Sequence, residues 1–146
     1  MTTDTATVSV QHVGGDRLRI KIRQHELYAD QPLEGGGDDT APTPTELFLG
    51  SLAACVAFYA ERYLRRQGVS TEGLSVRCDW TWASDPIRVG TIEIKVDAPT
   101  LPPDRQDAFL RIIERCPIDN TLRQPPTVRF TVSAPAVRRP LPVFGV

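Results

Sequence analysis

Two of the three cysteines stand where a thiol could do chemistry. Cys55 closes the apolar run TPTELFLGSLAAC, and Cys116 lies in ERCPIDN. Pro117 disfavours helical geometry at the residue before it, which puts the Cys116 thiol at a helix end. One thiol fixed in a buried helix and a second at an edge suit a peroxidatic and a resolving cysteine. The first attacks a peroxide oxygen and becomes a sulfenic acid; the second condenses with it to a disulfide. Packing is the other reading of each, because free cysteine is among the most buried residue types. Cys78 alternates with Trp80 and Trp82 on one strand face and reads as core.

A thiol must become a thiolate to attack, and burial opposes that, so Cys55 needs a nearby cation. Arg62 follows it by seven residues on nearly the same helical face, roughly 10 Å along the axis. Arg17, Arg19 and Arg23, on early strands, are the other candidates; each of these arginines also reads as a solvated side chain. Glu46 precedes Cys55 by nine residues, about 900° of helical rotation, and so points to the opposite side. Thr45 is closer in angle but has no carboxylate. His12 and His25 have no metal-ligand spacing with any cysteine, and no metal or other cofactor is expected. The GGGDD loop lacks the Gly-Lys-Ser/Thr of a phosphate loop.

The elements that position these residues follow from pattern. Val8 and Val10, then Leu18, Ile20 and Ile22, alternate on either side of Gly14-Gly15-Asp16, a hairpin turn. HELYAD (25–30) is a third short strand, and LEGGGDDTAPTP a loop. Thr43 as N-cap, Pro44 at N1 and Glu46 at N3 form a capping box that starts a helix running to about Gln67 and stopping at Gly68. Its body is apolar nearly all round, which predicts a central, buried helix. LSVRCDWTW and TIEIKV pair as strands around Ser84-Asp85-Pro86. PPDRQDAFLRIIERC is a second helix with Phe109, Ile112, Ile113 and Cys116 in one stripe; TVRFTVSA is a last strand. The proline-rich tail from about 135 to 146 is expected to be extended, with Val143 and Phe144 available to dock on a partner. Strands, long helix, strands, helix and strand make a single α+β domain with an antiparallel sheet. A helix apolar on every side asks for more cover than 146 residues easily give, which a homodimer would supply.

Composition excludes several classes. With 40% hydrophobic and 24% charged residues the chain is globular. A net charge of -1 gives no footprint for nucleic acid or an anionic membrane. The start MTTDTATVSV has no signal-peptide pattern. The longest apolar run, Leu47 to Ala60, falls short of the ~20 residues of a spanning helix. A cytoplasmic location follows, where thiols stay reduced and an odd cysteine count is no disulfide framework.

TPTELFLGSLAAC, a long helix ending in Gly, and CPIDNTL about sixty residues on together resemble the OsmC/Ohr family of thiol peroxidases. The resemblance covers almost the whole chain, through TVRFTV. It implies an α+β fold, an intertwined homodimer with the two long helices central, and active sites at the subunit interface. It implies reduction of organic hydroperoxides, with Cys55 as the reactive cysteine, Cys116 as its disulfide partner and a dithiol as reductant. Phe48, Leu52, Phe58 and Tyr59, spaced around Cys55, would then form an apolar wall that favours organic peroxides over hydrogen peroxide. The best-studied branch places a Glu where Thr45 stands here, to hold an activating Arg; Glu46 falls one residue later, and Arg17, Arg19 and Arg23 compete for the Arg. The alternative is a dimer of the same fold that binds an apolar ligand or senses oxidation without fast turnover.

Overall fold

The computed structural model describes residues 5–135. The expectation for the tail, with Val143 and Phe144, lies outside the described residues. Three strands open the chain: β1 (Val8–Gly14), β2 (Arg17–Ile22) and β3 (His25–Ala29), antiparallel in the order β1-β2-β3. The first hairpin turns where expected, with Gly14 and Gly15 both at positive φ. Val10 faces Ile20 and Ile20 faces Leu27 across the sheet. Yet all seven β1 positions are exposed, so this sheet stands apart from the core.

Helix α1 (Pro44–Arg66) begins with the expected capping box. Thr43 Oγ1 accepts from the Glu46 N–H at 3.2 Å, and Glu46 Oε2 accepts from the Thr43 N–H at 2.7 Å. Gln67 caps the other end, and Gly68 follows in the left-handed region at φ 66°. The buried stripe is Leu49, Leu52, Val56, Ala60 and Leu64. By length and composition alone α1 could cross a membrane, a test that a core helix also passes. The expectation of burial on every side is corrected: Phe48 and Phe58 are 38% and 53% exposed. The apolar content exceeds what the other elements of one chain cover.

Strands β4 (Ser75–Ala83) and β5 (Arg88–Asp97) form a second, two-stranded antiparallel sheet whose inner face meets α1. Val76, Cys78 and Trp80 pair with Val96, Ile94 and Ile92. The single sheet of the sequence reading is therefore two. The second expected helix is divided. A single 3-10 turn, Pro103–Arg105, leads into α2 (Gln106–Ile113), and a separate helix, α3 (Pro117–Arg123), follows. Pro117 fixes the backbone at the first position of a new helix, where its missing N–H costs nothing. The expected strand TVRFTVSA is also corrected. Residues 125–135 carry no strand pairing, and Val128, Phe130 and Val132 are 68%, 93% and 87% exposed. Their alternation is that of a strand, but alternation does not choose a partner edge, and this segment pairs with none of the described strands.

A candidate dithiol active site

Cys55 lies at the middle of α1, half-buried against the core cluster of Leu52, Val56, Ala60, Leu64, Phe109 and Ile113. Cys116 is a full member of that cluster, with no exposed surface. The structure places both thiols in one apolar cluster: Cys55 packs against the core to which Cys116 belongs, near enough to help raise the Cys116 pKa. Both are free thiols. They are 61 positions apart in sequence, and α1 packing on α2 and α3 supplies the contact.

Their surroundings differ. Cys116 is the N-cap of α3, and its sulfur accepts from the Asp119 N–H at 3.3 Å. Burial nonetheless pushes the Cys116 thiol above its ordinary pKa, the Asp119 N–H opposes this, and the neighbouring Cys55 adds to the rise. Cys116 therefore stays protonated at neutral pH, while Cys55 keeps access to solvent. Cys78 is half-buried in β4, away from this pair, and burial followed by the Asp79 carboxylate raises its pKa as well. It serves packing.

The candidate activating groups are placed elsewhere. Arg17 lies over the Tyr28 ring at 4.3 Å. Arg19 bonds the Gln11 side chain and sits 4.0 Å from Glu26. Arg23 occupies the β2–β3 turn at φ 54°. All three belong to the sheet that stands apart from the core. Glu46 is engaged by the capping box.

The four apolar wall residues divide. Leu52 borders a cavity of about 280 Å³ whose walls include Val56, Ile92, Leu110, Ile113 and Leu122. Tyr59 packs on the core cluster and meets Phe58 edge-to-face at 5.6 Å. Phe48 and Phe58 face outward from α1. Among the described residues no group of three or more His, Cys, Asp or Glu could hold a metal ion.

The loop before α1 is built on one residue that sequence reading passed over. Asp30 is 2% exposed and accepts from the Thr40 hydroxyl (2.6 Å), the Thr40 N–H (3.0 Å) and the Gln31 N–H (2.8 Å). The Thr40 hydroxyl, then the two N–H groups, hold its carboxyl down to about 2. The Asp30 N–H donates to the Pro42 carbonyl, so the loop closes onto the start of α1.

The chain is thus an α+β fold of antiparallel sheets on a long helix that carries one thiol, with a second thiol at a helix start in the same core. The pattern of the OsmC-like protein family matches residues 36–131, well over half of the chain. The chain belongs to the OsmC-like family. Solved structures share the fold. A protein from Psychrobacter arcticus, described as osmotic stress induced and of the detoxification response, is 24% identical with a TM-score of 0.73, covering 82% of this chain and 89% of its own. The organic hydroperoxide resistance protein OsmC from Legionella pneumophila is 22% identical with a TM-score of 0.65, at coverages of 84% and 92%. An OsmC-like protein from Mycoplasma pneumoniae is 16% identical with a TM-score of 0.69, at 84% and 89%. Among curated proteins no significant match is found.

Proposed function

We propose that this protein is a homodimeric, cysteine-based reductase of organic hydroperoxides in oxidative-stress defence, working in the cytoplasm. The observation that carries the reading is the packing of Cys55 and Cys116 in one apolar cluster. The family and the hydroperoxide resistance of the Legionella relative support it. Cys55, the more accessible thiol, attacks as thiolate. The O–O bond breaks, the alcohol leaves with a proton, and Cys55 becomes a sulfenic acid. Cys116 then attacks that sulfur, water leaves, and a disulfide remains. A hydroperoxide and two thiols thus give an alcohol, water and one disulfide. A dithiol reductant returns both thiols. The sulfur pair carries the electrons, and no cofactor is required.

The homodimer supplies what one chain lacks. Exposed apolar surface lies on β1, on the Phe48–Phe58 face of α1 and along residues 125–135. Exposed apolar surface on this scale marks an interface. A second copy covers it, completes the apolar wall beside Cys55, and brings Arg17, Arg19 or Arg23 to the thiolate from its own β1–β3 sheet. The test is peroxide reduction with a dithiol reductant. The reading expects tert-butyl hydroperoxide to react faster than hydrogen peroxide; comparable rates for both would remove the apolar-site account.

A further inference from the structure

Beside the dithiol lies a second pocket, of about 410 Å³, between α1 and the end of α2. Its walls are Tyr59, Tyr63, Ile112, Arg62, Arg66 and Arg115, with Gln67 at one end. Three arginines therefore border one concavity. Like charges brought together repel, and an anion among them relieves that repulsion. The bland account of arginines near a helix end is a solvated face that complements the dipole. Neighbouring arginines behave differently from these three. Arg65 pairs with Glu61 at 3.3 Å and Arg123 with Asp119 at 2.6 Å. Among the described residues Arg62, Arg66 and Arg115 make no ion pair; Arg62 lies over the Phe58 ring at 5.8 Å.

The pocket is also aligned with the chemistry. Tyr59, Arg62, Tyr63 and Arg66 follow Cys55 at i+4, i+7, i+8 and i+11, one continuous helical face. Arg115 immediately precedes Cys116. Seven residues of helical rise separate Cys55 from Arg62 by on the order of 10 Å. Tyr63 meets Phe109 edge-to-face at 5.5 Å, which fixes one aromatic wall.

We propose that Arg62, Arg66 and Arg115 form a carboxylate subsite for substrates that carry an acid group on the order of 10 Å from the hydroperoxide. Guanidinium forks suit a carboxylate bidentately, and Tyr59, Tyr63 and Ile112 take the carbon chain between the two ends. The subsite rests on the hydroperoxide-reductase reading for the place of the reacting oxygen.

The experiment compares 8-hydroperoxyoctanoic acid with its methyl ester, in the wild type and in the triple variant Arg62→Gln/Arg66→Gln/Arg115→Gln. The wild type is expected to favour the acid by about tenfold in kcat/KM, the size of one net charge-assisted contact at a partly exposed site. Raising the ionic strength should shrink that ratio, and the triple variant should bring it to about one. A wild-type ratio near one, or a ratio that survives in the variant, overturns the subsite and leaves the reductase reading intact. If neither peroxide is turned over, calorimetry with octanoate and octanol separates the claims. Octanoate binding that the triple variant loses keeps the anion site and removes the reductase; no difference between octanoate and octanol overturns the subsite.

Discussion

Cys55 and Cys116 share one apolar cluster at the junction of α1 and the start of α3. Cys55 is only partly buried, and Cys116 has no exposed surface. That asymmetry assigns an order. The accessible thiol meets reagent first, and the buried one, its pKa raised by burial, waits as a protonated partner.

Alkylation reads this order directly. With iodoacetamide at pH 7, mass spectrometry of the peptides should show Cys55 modified before Cys116 and Cys78. Cys116 should gain reactivity only as the pH rises well above the ordinary thiol range or as the fold opens. Faster labelling of Cys116 than of Cys55 would reverse the assigned roles.

The loop ahead of α1 should govern acid stability. The Asp30 pKa is lowered in the fold, to about 2. Its contribution is therefore fully present above the unfolded carboxyl value of about 4 and is lost as the pH falls from there toward 2. Asp30→Asn should be less stable at neutral pH, and the gap from wild type should close over that window in urea titrations. Gly37 is tied to the same site. A Cβ there would lie 2.1 Å from the Gln31 carbonyl oxygen and 2.8 Å from Asp30 Oδ1. Gly37→Ala should cost about 1–3 kcal/mol, as overpacking does. A wild-type midpoint for Gly37→Ala, or a constant Asp30→Asn gap from pH 7 to pH 2, would contradict this account.

Much of this was legible in the residues. Gly14-Gly15 marked the first hairpin, and Thr43, Pro44 and Glu46 marked the helix start atom for atom. These signals are local, so they survive any tertiary context. Cys116-Pro117 was read as an exit into a turn and is instead the start of α3, because proline stops one helix and begins another with the same fixed backbone angle. TVRFTVSA has strand alternation, but period two tells which residues share a face, not which edge the strand will meet. Asp30 escaped notice because nothing in a sequence says that one loop aspartate among several is buried.

The proposed dimer carries its own test. Phe58 is 53% exposed on the open face of α1, one turn from Cys55. Analytical ultracentrifugation should find the wild type as a dimer. Phe58→Asp should shift it toward monomer, because a carboxylate buried at such an interface goes unpaired. Peroxide turnover should fall with dimer content. A monomeric wild type that retains full turnover would dispense with the partner's role.

The central claim is that Cys55 and Cys116 act as one redox pair. The direct measurement is a free-thiol count after one equivalent of tert-butyl hydroperoxide is mixed with the reduced protein, beside Cys55→Ser and Cys116→Ser. The account predicts rapid loss of two thiols in the wild type, none in Cys55→Ser, and a trappable sulfenic acid in Cys116→Ser. Retention of every thiol in all three forms would contradict it and leave the fold as a binding or sensing dimer.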